Sequence, residues 1–363
     1  MTTRPASRTP SPYHAKRMNE GPRPLRYLSA ADVEALMPPV AERIALARRT
    51  MLALVADAEL PPKLGVHPRG PSAFAHAMPA LLRGANESGS ADLVGMKWVV
   101  GFPDNGSRGL PAVHGTVLLN DPTTGVPLAM IDAAPITAHR TAAVSGVAIA
   151  RWAPRNGGRP LRVAMLGAGV QARSHLPVLA HLLPGSRLII HDRHPERAET
   201  IAADAAATGA FAGTDTAASA IEAVRDADVV LPLVSFGPDR QSMPADAFRP
   251  DALIIAVDYD MSVPAALASD AALFLVDEAG QFRASRDAGL FAGYPDPAGI
   301  IGEWLDPLAP LTPLAGAAPD DSRTDALPGR VLVSHLGVGL ADIVFADALL
   351  RAAERYGIGV ELP

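Results

Sequence analysis

The sequence predicts an α/β fold: a Rossmann-type domain of repeated strand–helix units joined to a mixed α+β domain. Three observations lead there. From Leu161 onward, short apolar runs alternate with helical periodicity, the pattern that builds a parallel sheet. One of those runs, Val163 to Leu166, feeds directly into a glycine turn. The chain of 363 residues is also long for one hydrophobic core, so two domains are expected.

The elements follow in order. Residues 1–24 are rich in Pro, Ser, Thr and Arg, lack apolar periodicity and are expected to form a flexible tail. No apolar stretch that would make a signal-peptide core follows Arg4, Arg8, Lys16 and Arg17. Ser29-Ala30-Ala31-Asp32 reads as a capping box opening a helix through Val33 and Leu36. Trp98 to Val100 and Gly115 to Leu119 read as strands, and Asn120 to Gly125 as the turn of a hairpin. Thr137 to Trp152 is an Ala-rich helix leading to a linker, Arg155 to Pro160. Strands are expected at Val163 to Leu166, Arg187 to His191, Val229 to Val234, Leu253 to Val257 and Leu273 to Val276. Helices Ala172 to Leu183, Pro195 to Ala207 and Ala217 to Asp226 lie between the earlier ones. Pro307 to Arg330 reads as a mobile return loop before a strand at Val331 to Val333 and a last helix from about Ala341 to Tyr356. The expected domains are 25–150 with 326–363, and 151–325.

Composition narrows the function. Apolar residues make up 48% and charged residues 19%, enough to bury a sizeable core. The net charge of -6 and the 5% aromatic content argue against a nucleic-acid partner. The longest apolar runs, such as Leu253 to Val257, are too short to span a bilayer, so no membrane partner is expected. The absence of cysteine excludes disulfides, thiolate metal sites and a cysteine nucleophile. No metal site and a cytoplasmic location are expected.

The glycine turn is Gly167-Ala168-Gly169-Val170-Gln171-Ala172. Gly167 permits the tight turn and Gly169 lets the backbone approach a pyrophosphate. Val170 and Gln171 open the helix, whose free N–H groups and dipole favour phosphate, and Ala172 allows close packing of helix on strand. Asp192 ends the second strand roughly 20 positions on, where ribose hydroxyls would be bound. A carboxylate there favours NAD. Arg193, with His194 and Arg197, could instead hold a 2′-phosphate, so NADP stays open. Ser235, beyond the strand ending at Val234, is grouped with the cofactor-binding residues.

Several further blocks carry a resemblance. They are Gly95-Met96-Lys97-Trp98-Val99, Arg108-Gly109-Leu110-Pro111, Leu119-Asn120-Asp121 with Thr124-Gly125, Ile136 to Ala143 around His139-Arg140-Thr141, and Gly337-Val338-Gly339-Leu340-Ala341-Asp342. With the glycine turn and its Gln-Ala pair, they resemble the ornithine cyclodeaminase/mu-crystallin family from about Pro61 to the C-terminus. The resemblance implies that 25–150 and 326–363 form a substrate-binding and dimerisation domain. It further implies a homodimer and chemistry that passes through an imine.

Imine chemistry needs a cation for the substrate carboxylate, a group that handles protons at nitrogen, and a hydride carrier. The resemblance places Lys97 at the family's active-site lysine, Arg140 at its carboxylate-binding arginine and Asp258 at its catalytic aspartate. Lys63 lies near a second carboxylate-binding cation. From the residues alone, Lys97 could be a solvated end, Arg140 a partner of Asp132, and Asp258 a loop cap with Asp260 as competitor. Two departures stand out. His76 occupies the place where the ornithine enzymes carry a glutamate for the distal amine, and Ala112 replaces a threonine. The expected function is an NAD(P)-dependent oxidoreductase acting on the C–N bond of a small amino or imino acid. The alternatives are a cyclodeaminase and a non-catalytic dinucleotide-dependent binder.

Overall fold

The computed structural model describes residues 24–68, 73–84, 92–154, 159–237, 239–306 and 329–362. The expected tail at 1–24 (save Pro24), linker residues 155–158 and return-loop residues 307–328 lie outside the described residues.

Two eight-stranded sheets organise the chain. Seven strands of the first are β1 (Leu25–Leu28), β2 (Ala58–Glu59), β3 (Leu64–Val66), β4 (Phe74–Leu82), β5 (Leu93–Gly101), β6 (Val113–Asn120) and β7 (Pro127–Asp132), and the eighth comes from the end of the chain. Most of its pairings are antiparallel, and β1 runs parallel to β7. Helices α1 (Ala30–Leu36), α2 (Val40–Ala53) and α3 (Ala133–Trp152) accompany it. The expected capping box opens α1: Ser29 Oγ accepts from Asp32 N, and Ser29 N donates to Asp32 Oδ2 at 2.9 Å. Asp121 closes the β6–β7 hairpin by accepting from the N–H groups of Thr123 and Thr124.

The second sheet is parallel throughout. Its strands are β8 (Arg162–Leu166), β9 (Arg187–His191), β10 (Gly213–Thr216), β11 (Val229–Pro232), β12 (Leu253–Ala256), β13 (Leu273–Val276), β14 (Gly299–Ile300) and β15 (Val331–Ser334), in the order β10-β9-β8-β11-β12-β15-β13-β14. The order reverses between β8 and β11, the switch point where α/β sheets open a crevice at the carboxyl ends of their strands. Helices α4 (Val170–Leu182), α5 (Pro195–Ala207), α6 (Ala220–Val224), α7 (Ala265–Asp270) and α8 (Ala279–Asp287) connect these strands. β8, β11, β12 and β13 are buried almost end to end, as sheets covered on both faces require.

The chain then returns. Helix α9 (Gly339–Tyr356) packs on β4, β5 and β6, and β16 (Val360–Leu362) pairs with β1. Here one expected boundary moves. β15 lies between β12 and β13, so the return to the first sheet begins after Ser334, not at 326. The physical reason is pairing: β15 completes the hydrogen bonding of two central strands that would otherwise carry buried edges. Helix α3 packs on β6, on α4 and on β12, so one core runs continuously through both layers. None of the described helices is long and apolar enough to cross a membrane.

Candidate active site

Asp342 is the centre of the site. It sits in the first turn of α9, where the helix dipole favours a carboxylate, and it is fully buried. Two cations from the first layer converge on it. Lys97 reaches it from the middle of β5, with Nζ 2.8 Å from Oδ2. Arg140 reaches it from α3, with Nε 3.2 Å from Oδ1. Lys97 is itself 2% exposed and lies 3.5 Å from Thr137 Oγ1, one turn before Arg140 on α3. Burial lowers the Lys97 ammonium to about 8, although Asp342 works against that fall. Arg140 therefore does not pair with Asp132, which instead caps α3 by accepting from Ala134 N at 2.9 Å.

The segment after β15 forms one wall. Leu336 O accepts from Lys63 Nζ at 2.6 Å and from Tyr259 Oη at 3.1 Å, and Lys63 Nζ also donates to Tyr259 Oη at 2.6 Å. Gly337 N donates to Asp277 Oδ2 at 2.7 Å. Gly337 has φ +81, and a Cβ there would stand 2.7 Å from Arg140 Nη1. The guanidinium thus lies flat against backbone that only glycine leaves open. Burial lowers the Lys63 ammonium to about 8 and raises the Asp277 carboxyl, each moderated by the opposite charge nearby.

Asp258 follows β12, at the carboxyl end of the parallel sheet. It is 1% exposed; Oδ2 accepts from Ser262 Oγ at 2.6 Å, while Oδ1 is buried and has no hydrogen-bond partner among the described residues. Burial pushes this carboxyl up to about 7. Asp260 is otherwise engaged: it accepts from Phe291 N at 2.8 Å and pairs with Arg240 at 3.2 Å. His76, on β4, stacks on Phe74 with ring centroids 4.6 Å apart. Burial, then the charges of Lys63, His67 and Lys97, lower its imidazole to about 4.

The glycine turn stands as expected between β8 and α4. Gly167 has φ +101, and a Cβ on it would meet Leu233 O at 2.7 Å. Among the described residues nothing lies within 4 Å of a Cβ built on Gly169, and Val170 is 72% exposed, so the helix start is open to a ligand. Ala172 is buried against the sheet. Asp192 accepts from Ala168 N at 2.8 Å through one oxygen and from His194 N at 2.9 Å through the other. Each oxygen keeps a further lone pair, so the carboxylate both braces the turn and can accept ribose hydroxyls. These residues fit a dinucleotide. Arg193 and Ser235 are exposed beside this crevice.

The structure thus brings Lys63, Lys97 and Arg140 together around Asp277 and Asp342, two carboxylates to which sequence reading gave no role. Asp342 closes the block Gly337 to Asp342, and the acid that ends that glycine-bearing block was the available signal. Tyr259 and Ser262 carried no signal beyond their closeness to Asp258.

A Rossmann-type sheet whose strand ends face a buried cluster of cations defines the class. Within it, the chain belongs to the ornithine cyclodeaminase/mu-crystallin family, whose model matches residues 28–276. It is 29% identical over 337 residues to the nodulation efficiency protein NfeD of Rhizobium meliloti, covering 93% of this chain and 98% of that one. It is 33% identical over 275 residues to the L-lysine cyclodeaminase of Streptomyces rapamycinicus, covering 73% and 74%. Among solved structures, it resembles Thermococcus litoralis Delta(1)-pyrroline-2-carboxylate reductase in complex with NADH and L-proline. The TM-score is 0.73 at 23% identity, covering 93% of this chain and all of that one.

Proposed function

We propose that the protein is an NAD-dependent oxidoreductase acting on the C–N bond of a small amino or imino acid. One observation carries this reading. Among the described residues, Lys63, Lys97 and Arg140 face two buried carboxylates, Asp277 and Asp342, so three cations against two anions leave one positive charge for a substrate carboxylate. Arg140 and Lys63 hold that carboxylate, with Lys97 beside it toward the reacting carbon. Asp258, poised near neutrality, exchanges a proton with the substrate nitrogen. The glycine turn and Asp192 hold the dinucleotide, which supplies or accepts a hydride when bound. The first sheet with α9 is the substrate-binding and dimerisation part, and the parallel sheet is the dinucleotide part.

The test is a screen of amino acids with NAD, and of keto acids plus amines and cyclic imino acids with NADH and NADPH. It follows absorbance and ammonia together. A net change in NADH marks an oxidoreductase; ammonia release without it marks a cyclodeaminase. Asp192 should make NADH clearly preferred over NADPH, because a carboxylate repels a 2′-phosphate. A preference for NADPH would give the decision to Arg193 and Arg197.

The surroundings of His76 bear on the substrate's far end. Lys63, His67 and Lys97, all basic side chains, act on it. A distal ammonium would meet repulsion there, so ornithine and lysine should be poor substrates beside alanine- or proline-like acids. His76→Glu should narrow that gap by lowering KM for ornithine about tenfold, a single charge-assisted contact. An unchanged KM would mean that His76 does not face the substrate's far end.

We also infer a homodimer. The face of the first sheet opposite α9 presents Leu64, Val66 and Trp98, all exposed and apolar. Registers place Trp98 beside Ala77 and Thr116, and Leu64 beside Ala77, so Leu64 and Trp98 share one apolar patch. A second copy is the natural cover for such a patch, since a twofold pairing is self-complementary. Light scattering should give about twice 37.7 kDa. Trp98→Asp should shift the species toward half that mass at micromolar concentration; a wild-type monomer would defeat the inference.

A further inference from the structure

Three buried polar residues have no part in the roles above: Ser145, His175 and His335, at 0%, 0% and 3% exposure. They come from three elements. Ser145 lies on α3, the helix that carries Arg140. His175 lies on α4, the helix opened by the glycine turn. His335 follows β15 and precedes Leu336 and Gly337. Ser145 Oγ is 2.9 Å from His335 Nε2 and 2.9 Å from His175 Nε2, and His175 Nδ1 is 2.6 Å from Gln171 O.

The protons of this chain can be placed. Burial holds His175 down at about 4 and His335 well below its usual range, so each ring is neutral and carries one N–H. A carbonyl only accepts, so His175 carries its proton on Nδ1 and its Nε2 must accept. Ser145 has one proton and gives it to His175 Nε2. Its oxygen then accepts from His335 Nε2–H. The chain has a single direction: His335 to Ser145 to His175 to Gln171.

Its two ends are the two halves of the site. Gln171 is the second residue of α4, directly behind the open turn at Gly169 and Val170. His335 adjoins Leu336, whose carbonyl holds Lys63, and Gly337, which backs Arg140 and binds Asp277. We propose that Ser145 is a positioning residue that couples dinucleotide binding to substrate-carboxylate binding, by holding residues 335–337 in register with the first turn of α4. It touches neither ligand. The inference rests on the proposed oxidoreductase reading. A ligand that orders one end of a directed chain lowers the cost of ordering the other, and such coupling is reciprocal.

The test is fluorescence titration of the full chain with NADH, alone and with saturating L-proline or L-alanine as carboxylate probes. In the wild type, at least one probe should tighten NADH about fivefold or more, the lower end of ordinary coupling. Ser145→Ala should bring that ratio close to one and raise KM more than it lowers kcat, whereas Ser145→Thr, which keeps the hydroxyl, should restore both. Should Ser145→Ala not fold, His335→Leu removes the first donor from the other end and carries the same expectation. A wild-type ratio of one for both probes overturns the proposal. So does a Ser145→Ala protein that loses thermal stability yet keeps the wild-type ratio, since that marks a merely structural role. Failure of the wild type to bind NADH at all would sink the oxidoreductase reading itself, whereas binding with an unchanged ratio sinks only the coupling.

Discussion

Asp342→Ala should destabilise the protein by about 3–5 kcal/mol, the usual cost of removing one partner from a buried ion pair. It should also abolish detectable substrate binding. The carboxylate is fully buried and faces two cations, Lys97 at 2.8 Å and Arg140 at 3.2 Å. Without it, the ammonium and guanidinium repel each other in a medium that screens poorly. Lys97, already lowered to about 8, should lose its proton more readily still, and Arg140 should turn from its place against Gly337. Urea unfolding followed by circular dichroism gives the first quantity, and KM the second. The double variant Lys97→Met with Asp342→Asn removes one charge of each sign. It should recover much of the stability, because exchanging a buried pair for neutral groups is often nearly neutral. It should not recover activity. A stable and active Asp342→Ala would mean that the cations are held by other groups.

The sequence reveals elements whose signal is local. Continuous apolar runs such as Leu253 to Ala256 stand out because both faces of the parallel sheet are covered, and the glycine turn stands out because strand and helix flank it. Strand β4, Phe74-Ala75-His76-Ala77-Met78-Pro79-Ala80-Leu81-Leu82, escapes notice: Pro79 interrupts it, and His76 and Ala77 break the alternation. The place of β15 beside β12 follows from pairing between distant segments, which no window of sequence contains. The same holds for the site. Lys97, Arg140 and Asp258 could be singled out by family motif. Asp342 pairs with Arg140 across 202 positions, and only the fold brings them together. Ser145 and His175 look like ordinary small and polar helix residues until His335 closes the chain between them.

Asp258→Asn should lower kcat about a hundredfold or more, as losses of general acid–base catalysis usually do, and yet leave the protein more stable at alkaline pH. Both effects come from one carboxyl. Buried beneath Ser262 with Oδ1 unpaired among the described residues, it binds its proton up to about pH 7 in the folded protein, against about 4 in an unfolded chain. Between those values the native state holds more protons, so stability falls as pH rises across the window and stays lower beyond it. Asparagine keeps an oxygen for the Ser262 hydroxyl and carries no charge, so that slope should disappear. Catalysis responds in the opposite sense. Protonated Asp258 can donate to the nitrogen during imine reduction, which should decline above about pH 7. Ionised Asp258 can accept a proton during oxidation, which should decline below it. In Asp258→Asn both limbs should be lost, leaving only dependences nearer 8, where Lys63 and Lys97 titrate. NADH binding should survive, because Asp258 lies outside the glycine turn. Thermal unfolding at pH 5 and pH 8, beside pH–rate profiles in both directions, reads all of this. A variant with near-normal kcat would free Asp258 from proton transfer and point to Lys63, whose ammonium is held between Tyr259 and Leu336.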